Sequence, residues 1–164
     1  SILTGSGGGD LFSGEPMDPV ARTASLDYGN YGRMLVFSLE GTETLPVPTA
    51  RDTAIPVQDL ADVSVEDIAL GERSYNTYCS FCHGLVARSG GSIPDLRRMS
   101  EGSHEAFQQI VLEGLLSANG MAAFDDVLNA DETDRIHAYV KARAEEDRLV
   151  AAGEKEEATL TWLN

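Results

Sequence analysis

Cys79-Ser80-Phe81-Cys82-His83 spells C-x-x-C-H and uses both cysteines of a 164-residue chain. This is the spacing at which a c-type haem is attached. Two cysteines scattered at random over such a length fall three apart roughly 1% of the time, and a histidine follows by chance about 2% of the time, so coincidence is on the order of 10⁻⁴. Each thiol adds to a haem vinyl group to form a thioether, and the adjoining imidazole is then held beneath the iron as its proximal ligand. Cys79 and Cys82 are the expected covalent anchors, and His83 the expected first axial ligand.

Other chemistries use the same residue types. A structural zinc site wants four ligands, but the other histidines, His104 and His137, lie in segments that read as helical, and no second cysteine pair exists. A redox dithiol expects a strand before the motif, whereas a helix precedes it here. A cysteine pair with a purely structural place in a core is the remaining alternative.

With 42% apolar residues the chain can bury a real core in one domain or a small domain with an appendage. No run approaches the length of a membrane span, and Ser1-Ile2-Leu3-Thr4-Gly5 lacks the charged start and apolar stretch of a secretory signal. The expectation is a chain without a transmembrane segment, whose signal was removed or belonged to a longer precursor. Twenty-seven acidic residues against twelve basic ones give a net charge of −15, which argues against nucleic acid and anionic membranes as partners; it would steer a basic electron-transfer partner, or it serves solubility in a salty medium.

Residues 1–48 are glycine-rich, with Arg33 to Leu39 as the clearest strand, and read as a β and loop appendage. The stretch from Leu45 to about Val63 carries Pro46, Pro48 and Pro56 and shows no apolar periodicity, and residues 49–63 read as a linker. From Ser64 the pattern turns helical. Ser64 with Asp67 three residues on is an N-cap signature, and the first helix should run into the pentad. A second helix is expected from Ser103 or His104 to about Ser117, and a third from a cap at Asp131 towards Arg148. The domain expected to carry the haem is thus 64–150, with a tail at 151–164; the stretch from Glu145-Glu146-Asp147 through Glu154-Lys155-Glu156-Glu157 reads as a solvated charged face or a frayed helix.

Between the second and third helices, residues 118–130 form a loop with Gly120-Met121 and Phe124. A methionine on such a loop reaches a metal without the constraint of a helix face, so Met121 is the candidate sixth ligand. Met99 and a vacant or water-filled site are the alternatives. A thioether opposite histidine favours ferrous iron and suits an electron carrier; a vacant site would suit ligand sensing or peroxidatic chemistry.

Gly71 and Tyr75 before Cys79-x-x-Cys82-His83-Gly84, then Pro94-Asp95-Leu96, Gly120-Met121 and Ile136-His137-Ala138-Tyr139-Val140, resemble the class I cytochrome c pattern over residues 66 to 150. The resemblance implies a mainly α fold around one haem c, a crossing of first and last helices at Gly71 and Tyr139, and a Pro94 carbonyl that accepts from the proximal imidazole. Pro94-Asp95-Leu96-Arg97, Phe107-x-x-Ile110-Val111-Leu112, Ala118-Asn119-Gly120-Met121-x-x-Phe124 and Ala138-Tyr139-Val140-x-Ala142-Arg143-Ala144 are similar to the C-terminal cytochrome domain of quinohaemoprotein alcohol dehydrogenases. Residues 32–46 are similar to the last propeller strand and linker that precede that domain.

By that resemblance Pro94, Leu96, Arg97, Arg98 and Phe124 belong to the haem surroundings, with Arg97 or Arg98 candidates for a propionate. Pyrroloquinoline quinone (PQQ) and calcium would reside in a partner propeller, because the family's quinone-binding residues, catalytic aspartate and calcium ligands have no counterparts here. The chain is expected to be a haem-bearing fragment or subunit, split or proteolysed ahead of Ser1. It would lack a catalytic site for alcohol oxidation and would pass electrons from a PQQ-dependent dehydrogenase to an external cytochrome, copper protein or quinone in the bacterial periplasm. A cytochrome c carrier serving an unrelated partner is the alternative.

Overall fold

The computed structural model describes residues 38–44, 50, 52, 54–89 and 93–154. The expected strand at 33–37, most of the 1–48 appendage and the tail beyond 154 lie outside the described residues. Ser38 and Leu39, at the end of the expected strand, lead into a turn closed by Gly41 N donating to Ser38 O (3.2 Å). Among the described residues there are helices and turns and no strand.

Helix α1 (Val65–Tyr78) begins where Ser64, in extended conformation, accepts the Asp67 N–H on its hydroxyl; Glu66 and Asp67 favour the positive end of the helix. It leads through Cys79 into the single turn α2 (Ser80–His83), which Gly84 ends at φ 77°. A tight 3-10 turn at Leu85–Ala87 follows, in which Val86 and Ala87 both take positive φ, 53° and 61°. That backbone is strained for a β-branched residue and persists only where the surroundings enforce it; Ala87 is wholly buried.

A second 3-10 turn at Leu96–Arg98 is capped by Asp95. The single helix expected between Ser103 and Ser117 is instead α3 (Glu101–Glu105), capped by Ser100, and α4 (Phe107–Val111), with a break at Ala106 (φ −90°, ψ 10°). The chain then turns at Gly114 (φ +67°) and at a 3-10 turn over Ser117–Asn119. Helix α5 (Ala130–Ala151) is capped two residues before the expected cap at Asp131. Asn129 accepts from the Glu132 N–H while the Glu132 carboxylate accepts from the Asn129 N–H, a closed capping box.

The core is the seam between α1 and α5, closed by α4. Tyr75, Ile136, Tyr139 and Val140 are fully buried, and Phe107, Val111 and Leu128 complete the cluster. Gly71 is what lets the helices meet: a Cβ there would sit 1.9 Å from the Arg135 carbonyl oxygen. The expected pairing of Gly71 with Tyr139 is therefore shifted by one turn. Gly71 receives the backbone of Arg135 and Ile136, and Tyr139 packs against Tyr75 with ring centroids 5.1 Å apart. The stretch before α1 is anchored as well, because Gln58 N donates to the Glu145 carboxylate on α5 at 3.2 Å.

Candidate haem-binding site

The pentad straddles the end of α1 and all of α2. Cys79 N donates to Tyr75 O (2.8 Å) and His83 N to Cys79 O (2.9 Å), so one continuous helical turn sets the three reactive side chains. Neither cysteine is in a disulfide; Cys79 is partly buried and Cys82 exposed. Burial, and secondarily the neighbouring Cys82, pushes the Cys79 thiol up to about 12. The Tyr75 hydroxyl donates to Gly84 O at 2.7 Å, which ties the residue after His83 to the core.

His83 Nδ1 lies 3.1 Å from the Pro94 carbonyl oxygen, the contact expected from the resemblance. With Nδ1–H donating there, Nε2 carries the lone pair a metal requires. Burial lowers the affinity of this ring for a second proton, against opposing contributions from Pro94 and Asp95, so the neutral, ligating form is favoured.

Met121 lies in the irregular stretch after the Ser117–Asn119 turn and packs, with Phe124, Leu96 and Met99, against the core. Phe124 N donates to Val111 O (2.9 Å), and the Phe124 ring meets Tyr78 edge-on at 6.4 Å. That ring contact joins the methionine loop to the residue preceding Cys79. The donor set fits haem c: two thiols on one face of a turn, an oriented imidazole, and a thioether on a separate loop. Phe81 (73% exposed), Leu85, Leu115, Leu116 and Val127 present apolar surface from these same segments, the surface a large apolar macrocycle would cover.

One expectation changes, and one candidate gains partners. Arg97, a propionate candidate, has a buried side chain, with Nε and Nη2 donating to Asp95 (2.9 and 2.6 Å) and Nη1 to Asp147 (2.9 Å), and Arg98 also pairs with Asp95. Burial opposes its charge, but Asp95 and Asp147 hold it more firmly protonated than usual. Asp147, read as part of a solvated face, is 6% exposed and accepts four N–H donors: two from Arg88, one from Arg97 and one from Arg143. Those arginines keep its carboxyl below the ordinary range in spite of burial. The overlooked signal was phase. Asp147 follows Ile136, Val140 and Ala144 on the buried face of α5, where an acid needs partners.

His104 and His137, weighed against a zinc site, hydrogen-bond to each other at 2.8 Å across α3 and α5. Among the described residues no three His, Cys, Asp or Glu side chains converge as metal ligands. No helix among them is long and apolar enough to cross a membrane.

Residues 66–140 match the family described as cytochrome C oxidase, cbb3-type, subunit III, a cytochrome c domain, which implies haem c as the cofactor and suggests electron transfer. Relatives of the chain include quinohaemoprotein alcohol dehydrogenases, of which it matches a small part. It is 39% identical over 151 residues to quinohemoprotein alcohol dehydrogenase ADH IIB of Pseudomonas putida, covering 91% of this chain and 21% of that protein. The solved structure of ADHIIG from Pseudomonas putida HK5 superposes with a TM-score of 0.61 at 34% identity, over 71% of this chain and 16% of that one. Cytochrome c550 of Pseudomonas aeruginosa is 34% identical over 85 residues, 49% of this chain and 57% of its own length. The chain thus spans between 16% and 21% of the length of these dehydrogenase relatives.

Proposed function

We propose that this chain is the electron-relay part of a PQQ-dependent alcohol dehydrogenase of the periplasm, with residues 64–150 as the relay and 1–48 and 49–63 as the end of a propeller and its linker. Cys79 and Cys82 would hold the macrocycle, His83 Nε2 and Met121 Sδ would supply donors to the iron, and Pro94, Leu96 and Phe124 would line the pocket. The observation that carries this is the 3.1 Å contact from His83 Nδ1 to the Pro94 carbonyl, which fixes the tautomer and aims Nε2. Haem c, when bound, supplies one-electron exchange at iron.

The residues of the chain do the rest. Tyr75 and Gly84 hold the pentad to the core, and the edge contact of Phe124 with Tyr78 holds the Met121 loop near Cys79. Electrons would arrive from reduced quinone in a calcium-bearing propeller and leave for an external cytochrome, copper protein or quinone. The link to a dehydrogenase is supported by the extent of the similarity to ADH IIB, 151 residues, well beyond the residues 66–140 of the cytochrome family match. A carrier serving another partner is the second reading, favoured by the similarity to cytochrome c550.

The test mixes the haem-loaded chain with a PQQ-loaded propeller and a primary alcohol and follows haem reduction by stopped flow. Reduction that saturates with dehydrogenase is expected. A haem reducible by ascorbate but not by dehydrogenase and alcohol would reject the dehydrogenase assignment. Met121→Ala should convert a spectrum indifferent to carbon monoxide into one that shifts on its addition; a responsive wild type would instead rule out Met121 as ligand.

A further inference from the structure

The segment from Arg88 to Arg97 carries Pro94, and both its ends are tied to one carboxylate on α5. Arg88 donates to Asp147 through Nε (3.1 Å) and Nη2 (2.9 Å), and Arg97 donates through Nη1 (2.9 Å). Arg143, one turn earlier on α5, adds a bond from Nη2 at 3.0 Å. An i, i+4 pair with Arg143 alone would give the helix its charge partner. The other two arginines come from the segment that faces His83.

The linkage continues without a gap. Arg97 also grips Asp95 through Nε and Nη2, and the Asp95 carboxylate accepts the Arg97 backbone N–H (3.1 Å), closing the 3-10 turn. Asp95 follows Pro94 directly, and the Pro94 carbonyl meets His83 Nδ1. Within the same stretch, Ser89 Oγ donates to Ile93 O (2.9 Å) and Ser89 is 1% exposed, so Ile93, next to Pro94, is held to the residue after Arg88. Asp147 and Arg97 are each 6% exposed, where charge-assisted bonds are strong and solvent does not substitute for a lost partner.

We propose that Asp147 is a positioning residue for the proximal imidazole: by clamping Arg88 and Arg97 it fixes the Pro94 carbonyl, and so sets the strength of the His83 hydrogen bond and the reduction potential of the haem. This rests on His83 being the proximal ligand, as proposed above. A firm bond to Nδ1–H makes the imidazole a stronger donor and favours ferric iron. Releasing the clamp weakens that bond and also removes a nearby negative charge; both effects raise the potential. General loosening of the pocket would admit water and lower it, so the sign separates the two.

The experiment compares wild type, Asp147→Asn, Arg88→Lys and Val140→Ala as haem-loaded full chains. Val140 is a fully buried core residue of α5 outside the arginine cluster and controls for lost stability. The readouts are the deuterium exchange rate of the hyperfine-shifted His83 Nδ1–H by NMR and the midpoint potential. Asp147→Asn should exchange roughly tenfold faster and show a raised potential, Arg88→Lys should shift both the same way by less, and Val140→Ala should lower Tm while leaving both unchanged. Wild-type exchange in Asp147→Asn, whatever its potential, or an equal shift in Val140→Ala, would overturn the proposal with the His83 assignment intact. Should Asp147→Asn fail to fold, unchanged values in Arg88→Lys overturn it equally. A wild type with no hyperfine-shifted His83 proton would remove the assignment and the proposal together.

Discussion

His137 sits between two rings: Phe107 stacks on it at 4.4 Å with planes 10° apart, and His104 shares the 2.8 Å hydrogen bond to its Nε2. Burial, then His104 and Lys141, depress its pKa to about 4 from the ordinary 6.5, with Asp134 opposing. The folded ring thus binds fewer protons than the unfolded one between those values, so stability rises with pH through the window and is lost as pH falls through it. The loss amounts to about 2 kcal/mol once the partial exposure of the pair is allowed for. Urea midpoints taken at about pH 7 and pH 4.5 should differ less in His137→Gln than in wild type; an equal difference would show that this pair does not govern the acid response. At this scale the pentad was legible because its chemistry is fixed by spacing along the chain. The histidine pair and the arginine clamp on Asp147 were not, because they join residues that only the folded helices bring together.

Helices α1 and α5 were readable from apolar period and caps, and the misplaced cap shows what such reading misses. Asn129 with Glu132 and Asp131 with Asp134 are both cap residue plus acid three later, and the first prevails because Glu132 reaches back to the Asn129 N–H at 3.0 Å. The split of α3 from α4 was hidden because Phe107, Ile110 and Val111 keep a helical phase past the break at Ala106, which periodicity does not register. The helix crossing gives a sharper prediction. Alanine favours a helix over glycine by about 1 kcal/mol, yet at Gly71 its methyl group meets backbone 1.9 Å away that no side-chain rotation can clear. Gly71→Ala should therefore destabilise the holo chain by about 3 kcal/mol, read as a lower denaturant midpoint. A midpoint equal to or above wild type would mean that the crossing is looser than described.

For the molecule as a whole, charge is the dominant long-range property. A net charge of −15 attracts cationic partners from beyond contact distance and repels anionic ones. Bimolecular electron transfer to a basic redox protein should slow by at least about tenfold between low and high salt, whereas transfer to an acidic one should quicken. Stopped-flow rates against ionic strength decide it, and a flat dependence on both would leave the acidic surface without a role in docking. This was legible from composition alone. The placement of four arginines against buried acids was not, since composition counts charges without saying which are withdrawn from the surface.

The seam between α1 and α5 also imposes an order in time. Gly71 and Tyr75 find their partners only at Arg135 to Tyr139, and the segment around Pro94 is clamped only by Asp147. A chain made or exported from its N-terminus therefore presents the pentad long before the residues that enclose it have emerged. In that interval Cys79, partly buried in the finished fold, is as open to modification as Cys82. The late arrival of α5 is what ends the open interval.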